Sequence, residues 1–472
     1  EILRCLVGSE MCIRDRRYDG SSKFPSGDQW ALFPSVSAGW RLSEETFMKW
    51  AKPVLSDFKV RGSWGTIGNQ DVAANSFLSV MSVNKSSGWV IDGKQVPYIG
   101  IPSVVSPSLT WERVTTIDLG FDARFFNNEL GVSFDWYQRT TSDMHSPGET
   151  LPSTFGSTTM PKVNSGELQG RGFELSIDYN KRFACGLGLT ARATLSKIRE
   201  KITKYNNPNK NIYGNYEGKI IGEIWGYETD RLFQYEDCYQ DADGKWFIDT
   251  NKVPSQALYE TGAFKYGPGD VKYKDLDGNG EITYGEQTLE DHGDLKRIGN
   301  TLPNFEYGFS VALTYKDFDF STFFQGIGSR DVWAVGQTGI PGFMPGEGWL
   351  EHQMDYWTPE NTDAFYPTPT SHSWINNGQN FLRQTRYLQN MSYLRCKNIT
   401  LGYTVPEKWM KVITFTSGRI YVSAENLFEF DHTNIPVDPE TTEKAAASNG
   451  EYKFGKSYPF MRSISFGVQL TF

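Results

Sequence analysis

The feature that most constrains this chain is a period of two, held over long segments. In "TTIDLGFDARF" the alternation sets Ile117, Leu119, Phe121, Ala123 and Phe125 against Asp118, Asp122 and Arg124. "GVSFDWYQR" sets Val132, Phe134 and Trp136 against Ser133, Asp135 and Tyr137. "RGFELSIDYN" sets Phe173, Leu175, Ile177 and Tyr179 against Glu174, Ser176 and Asp178, and "NFEYGFSVALTY" repeats the pattern from Phe305 to Tyr315. Successive strand side chains point to opposite faces, so each segment predicts a strand with one apolar face. About twelve are predicted on this pattern, at 17–23, 30–42, 55–67, 108–126, 130–143, 167–181, 187–201, 303–316, 318–330, 386–405, 418–430 and 458–472.

Length decides which kind of sheet this is. Many segments exceed the roughly 5–6 residues of a globular strand and suit the ~9–11 that cross a bilayer at a tilt. The connections at 43–54, 127–129, 182–186, 317 and 406–417 are short. Those at 24–29, 68–107, 144–166, 202–302, 331–385 and 431–457 are mostly long. A membrane barrel sorts its connections in this way, with tight turns on one side and long loops on the other. The expected fold class is therefore all-β, an antiparallel transmembrane β-barrel, with Phe472 on the short-turn side. No run of eighteen apolar residues exists, which rules out a transmembrane helix but says nothing against barrel strands. A net charge of −9 argues against a nucleic-acid partner, which wants a basic face.

Residues 1–16 are read apart. Met11-Cys12-Ile13-Arg14-Asp15 back-translates as ATG-TGT-ATA-AGA-GAC, which resembles a transposase-type sequencing adapter read in frame. The stretch is taken as a cloning or assembly scar and set aside. Cys185, Cys238 and Cys396 then remain, scattered and odd in number, so no disulfide framework follows.

Several segments together resemble the SusC/RagA-type TonB-dependent outer-membrane transporters. They include "FPSVSAGWRLSEE", "KVRGSWGTIGNQ", "LTWERVTTIDLGFDARFFNNELGVSFDWY", "GDVKYKDLDGNGEIT", "YLRCKNITLGYTVPE" and "IYVSAENLFEF". They occur in family order and cover nearly all of Arg17 to Phe472. The resemblance implies a barrel of about 22 strands plugged by an N-terminal domain. It also implies a SusD-type surface lipoprotein as partner, TonB as energy source, and uptake of large nutrients, usually oligosaccharides, in Bacteroidota-type bacteria. On that reading residues 17–472 are the C-terminal part of the barrel. The plug, the TonB-contacting box and about ten strands would lie outside this sequence. The same resemblance makes Phe472, at the end of "SISFGVQLTF", the signal read by the barrel-assembly machinery.

One loop carries a metal-binding pattern. "DLDGNGEITYGE" spaces Asp275, Asp277 and Asn279 alternately, with Gly280 at the sharp turn and Glu286 at position twelve. Calcium takes several oxygen ligands, and this spacing wraps them around one point. The expected ligands are Asp275, Asp277, Asn279, the Glu281 carbonyl and Glu286, holding a structural Ca2+. Neither flank looks helical, so this is not a calcium-sensing hand, and an Asp/Asn/Gly turn without metal is the alternative.

The long loops also hold Trp89, Trp225, Trp246, Trp333, Trp349, Trp357 and Trp374. Flat rings stack on the apolar patches of sugars, so Trp225, Trp333, Trp349, Trp357 and Trp374 are candidate substrate or lipoprotein contacts, with loop packing as the alternative. Trp40, Trp64 and Trp136 fall on strands and are expected to face lipid. The five histidines fall in predicted loops without ligand spacing and are read as surface residues. No nucleophile elbow, zinc signature or phosphate loop appears, and nothing pairs two carboxylates for acid–base work, so catalysis is not expected. Importing oligosaccharides is the leading expectation. Importing peptides or siderophores, or a glycan-binding adhesin without transport, are the alternatives.

Overall fold

The alternating segments form strands because alternation gives each a face that can pack and a face that can be solvated. In the computed structural model the described residues are all except 1–2, 8–9, 86–87, 103, 107–108, 149–151, 153, 155–160, 344–345, 371–377, 414, 441–453 and 456. The first eight strands of the main sheet are β1 (Leu3–Val7), β2 (Glu10–Gly20), β3 (Trp30–Arg41), β4 (Leu55–Asn69), β5 (Glu112–Phe125), β6 (Leu130–Pro147), β7 (Lys162–Arg182) and β8 (Leu187–Lys204). Seven follow: β9 (Glu306–Tyr315), β10 (Phe318–Ile327), β11 (Asp331–Trp333), β12 (Leu388–Val405), β13 (Ser417–Glu425), β14 (Glu429–His432) and β15 (Ser463–Thr471). Neighbours in sequence are neighbours in the sheet, except that the short β11 and β14 both pair with β12 beside the main path. The path ends at β1 and β15.

Two compact units divide the chain. The first comprises residues 1–177, 198–209 and 214–220, the second 178–197, 210–213 and 221–472.

In the first unit one sheet face is apolar and uncovered. Val60, Phe121 and Phe134 stand in register across β4, β5 and β6, with the two phenylalanine rings 5.7 Å apart. Trp40, Trp64, Leu119 and Trp136 are exposed on strands here. The opposite face carries ionic groups. Arg61 Nη2 donates to Asp135 at 2.6 Å and its Nε to Asp122 at 3.1 Å. Arg61 on β4 and Asp135 on β6 both stand opposite Gly120 on β5, so their side chains meet across the middle strand. A Cβ at Gly120 would collide with the Asp135 carboxylate and lie 3.0 Å from Arg61 Cζ.

The second unit repeats the device. Arg419 on β13 donates from Nε to Asp319 on β10 at 2.9 Å, reaching over Gly402 of the intervening β12. Its apolar face leaves Leu401, Ile420 and Val468 exposed. The hydrophobic core of this unit lies in the long loops instead. Its buried members run from Ile212 through Trp225, Phe233, Tyr266 and Ile282 to Phe343, Tyr366 and Tyr387.

The structure corrects several boundaries. β6 continues to Pro147, so His145 is a strand residue with a nearly buried ring whose Nε2 lies 3.0 Å from the Thr110 carbonyl. The predicted 418–430 strand breaks at Asn426, which takes φ 48°, into β13 and β14. Glu10–Arg16 run as part of β2 in register with β3 from Glu10↔Trp40 onward, a pairing that leaves the reading of residues 1–16 as a scar untouched. The 202–302 loop is built from paired strands: Glu223–Tyr227 with Leu295–Asn300, Thr229–Leu232 with Val271–Tyr273, and Cys238–Gln240 with Trp246–Ile248.

Candidate functional site

The loop body of the second unit has an interior that is aromatic and polar at once. Tyr266 and Tyr273 donate their hydroxyls to the Gln379 carbonyl at 3.2 and 2.6 Å. Gln256 accepts the Tyr273 N–H at 2.7 Å and donates to the Val271 carbonyl at 3.1 Å. Buried polar groups cost several kcal/mol unless paired, so these bonds fix one packing of the loops. Burial pushes the Asp270 carboxyl up to about 6, against the opposing bonds from Asn380 (2.6 Å) and the Gly267 N–H (2.9 Å).

The tryptophans distribute unevenly. Trp225, Trp333 and Trp357 are buried members of this core, and Trp333 lies on β11 rather than in a loop. Trp225 is held by its Nε1 bond to Glu223 at 2.9 Å and lies beside the His292 ring. With their faces packed inside, these three have no surface to offer a sugar ring in this arrangement. Trp349 is half-buried against Tyr356, and Trp374 lies outside the described residues. The hairpin 238–248 carries exposed rings on both faces, Tyr239 on one and Trp246 on the other, with Phe247 half-buried. Tyr239 and Phe247 stack at 5.8 Å, and Trp246 meets Tyr235 edge-on at 5.0 Å. Of these rings only Trp246 is noted from sequence among the loop tryptophans, and it is not one of the five candidate contacts.

The DxDGNG loop gathers carboxylates, two from the motif and one from beyond it. Among the described residues, oxygens of Asp275, Asp277 and Asp294 lie within 4.8 Å of one another. Asp275 accepts the N–H groups of Gly278 at 2.6 Å and Gly280 at 2.8 Å, and Asp277 accepts that of Asn279 at 3.0 Å. The Asn279 amide oxygen accepts the Glu281 N–H at 2.7 Å. Glu281 and Glu286 are exposed, the Glu286 carboxylate stands outside the cluster, and Glu281, expected to offer its carbonyl, forms a parallel bridge with Ser255. Asp294, fully buried, supplies the third carboxylate and accepts the Leu276 and Thr283 N–H groups at 2.6 and 2.7 Å. Burial raises its carboxyl above the usual range. The two N–H groups oppose that rise, and the charges of Asp277 and Asp275 add to it. Hard oxygen donors of this kind suit a divalent cation such as Ca2+.

A second charged cluster ties the last long loop to β12. The guanidinium of Arg395, 2% exposed, donates to Glu429 at 2.7 Å, Asp438 at 2.7 Å and Glu440 at 2.6 Å. Lys397 adds a bond to Glu440 at 2.9 Å and lies 4.4 Å from the Phe460 ring.

Comparison with known proteins places this architecture. A family model described as "TonB dependent receptor-like, beta-barrel" matches residues 16–427. TonB-dependent receptor P3 of Formosa agariphila is 28% identical over 97% of the chain and 43% of its own length. TonB-dependent receptor SusC of Bacteroides thetaiotaomicron is 25% identical over 97% of the chain and 41% of its length. Among solved structures, the RagAB peptide transporter superposes with a TM-score of 0.68 at 22% identity, covering 98% of this chain and 46% of that one. The chain thus spans less than half the length of the relatives it matches. The strand order, the uncovered apolar face and the match over most of the sequence lead to one conclusion: the chain belongs to the TonB-dependent receptor β-barrel family, of the SusC/RagA type, whose members are outer-membrane proteins.

Proposed function

We propose that this chain is part of a TonB-dependent importer that brings oligosaccharides through the outer membrane, working with a SusD-type surface lipoprotein on its long-loop side. Family membership carries the transport part of this reading. For the cargo, the supporting observation is the aromatic surface of the hairpin 238–248, where Tyr239, stacked on half-buried Phe247, offers a ring from one face and Trp246 offers one from the other. Rings of this kind present flat apolar faces beside polar edges, which suits the C–H patches and hydroxyls of a sugar. The test is binding of the full-length protein, with its lipoprotein, to matched panels of oligosaccharides and peptides. Tyr239→Ala/Trp246→Ala should weaken oligosaccharide binding by about thirtyfold, at about 1 kcal/mol per ring. Tight binding of peptides alone, unchanged in the double variant, would replace oligosaccharides with peptides as cargo.

The same proposal gives the DxDGNG loop a structural Ca2+ held through Asp275, Asp277 and Asp294. Bound metal would join the turn at 275–280 to the residue that opens the Leu295–Asn300 strand. A ligand present at a hundred times its dissociation constant stabilises by about 2.7 kcal/mol, so calcium should slow proteolysis within 202–302 and chelator should restore it. Asp277→Asn removes one charge from an exposed position and should abolish that difference. Equal cleavage with calcium and with chelator would remove the metal from the account.

A further inference from the structure

The short-turn end of the second unit has a composition that the transport reading does not use. Registers fix which residues share that end: Leu187 pairs Tyr315, Tyr315 pairs Phe318, Phe318 pairs Tyr403, Tyr403 pairs Ile420 and Ile420 pairs Val468. The end of β7 at Lys181–Arg182 and the turns at 183–186, 316–317 and 406–416 therefore lie along one rim. In a chain of net charge −9, these segments hold five cationic side chains and two carboxylates, Asp317 and Glu407. One of the two is already matched, since Glu407 pairs with Lys411 at 2.7 Å.

Each turn sets a lysine against an aromatic ring. Lys181 Nζ lies 5.9 Å from the Phe183 ring, Lys316 Nζ 5.3 Å from Tyr315, and Lys408 Nζ 5.9 Å from Trp409. The turn after β12 shows that this exposure is built in. Met410 is buried beneath it, while Trp409 is 58% exposed and Val412 81% exposed beside Lys408 and Lys411. A short helical turn has thus been seated by one apolar residue so that its tryptophan and lysines point outward. The rim continues directly into the apolar sheet face, through exposed Phe318, Ile420 and Val468.

We propose that this rim binds anionic phospholipid in the leaflet on the short-turn side, with the rings at the depth of the acyl boundary and the lysines on the phosphates. Amphipathic rings rest at membrane–water interfaces, and a lysine near an anionic surface adds attraction equivalent to roughly a fivefold gain in binding. The net positive charge of the rim selects an anionic lipid over a zwitterionic one. Its continuity with the apolar face selects a lipid over a soluble anion.

The experiment uses the full-length protein in nanodiscs of mixed phosphatidylglycerol and phosphatidylcholine, with retained lipid read by native mass spectrometry. Wild type should retain phosphatidylglycerol over phosphatidylcholine by on the order of tenfold, and high salt should erase much of that preference. Lys316→Gln/Lys408→Gln, at two exposed positions, should bring the ratio near one while heat-modifiable mobility still reports a folded barrel. Should that variant fail to fold, the wild-type lipid ratio and its salt dependence decide alone. Equal retention of the two lipids, an unchanged ratio in the folded double variant, or displacement of the lipid by soluble glycerol phosphate would each overturn the proposal.

Discussion

Replacing Arg395 with Met should release the 429–440 segment from β12, at a cost of about 3–5 kcal/mol. The guanidinium serves Glu429, Asp438 and Glu440 together, and Asp438 is itself 3% exposed. Removing the cation leaves these carboxylates clustered, with Lys397 on Glu440 and Arg330 on the intervening Pro439 carbonyl. A buried charge stripped of its partner costs far more than the pair contributes, so the effect should exceed that of Lys397→Met, whose side chain is 21% exposed and bonds Glu440 alone. Asp438 also accepts the Glu440 and Phe460 N–H groups, so its loss of geometry should spread to both sides of the loop. Hydrogen exchange of the full-length protein would show this as faster exchange across 429–440 with the strands β8–β10 unchanged. Unchanged protection of 429–440 in Arg395→Met would mean that the cluster holds nothing in place.

The second large effect concerns the last strand. On β15, Phe466, Val468 and Leu470 continue the exposed apolar face, with Val468 opposite Ile420. Gln469 stands opposite Arg419, on the face where Arg419 meets Asp319. A cation on the lipid face near mid-bilayer costs roughly 2–4 kcal/mol, and less near the interface, whereas a lumen position tolerates polarity. Val468→Arg in the full-length transporter should therefore impair assembly far more than Gln469→Arg. The measurement is the folded, heat-modifiable fraction in the outer membrane. Equal levels of the two variants would show the faces, or the membrane, to be wrongly assigned.

These effects differ in how far the sequence announced them. The strands were legible because alternation is local: Ile117 to Phe125 show their two faces without reference to any partner. The ionic bridges over Gly120 and Gly402 were not, because they depend on which residues the register sets side by side. The loop core was hidden for the same reason. Trp225, Trp333 and Trp357 looked like surface candidates because no periodicity marks a core assembled from segments far apart in sequence. In the DxDGNG loop the spacing singled out Asp275 and Asp277, which set oxygens within 4.8 Å of each other. Glu286 does not join them, because Gly285 (φ 54°) and Gln287 (φ 57°) turn the chain where a calcium hand would start a helix. Asp294 takes a place in the cluster from beyond the reach of any loop template.

Energised uptake is the claim on which the functional account rests. Its most direct measurement is accumulation of labelled oligosaccharide by cells carrying the intact gene, by cells lacking it, and by both after the proton-motive force is collapsed. Accumulation is expected only in energised cells with the gene, and at a reduced level when the gene carries Tyr239→Ala/Trp246→Ala. Surface binding that persists without energy and never becomes uptake would contradict it, and would make this chain part of a glycan-binding surface protein instead.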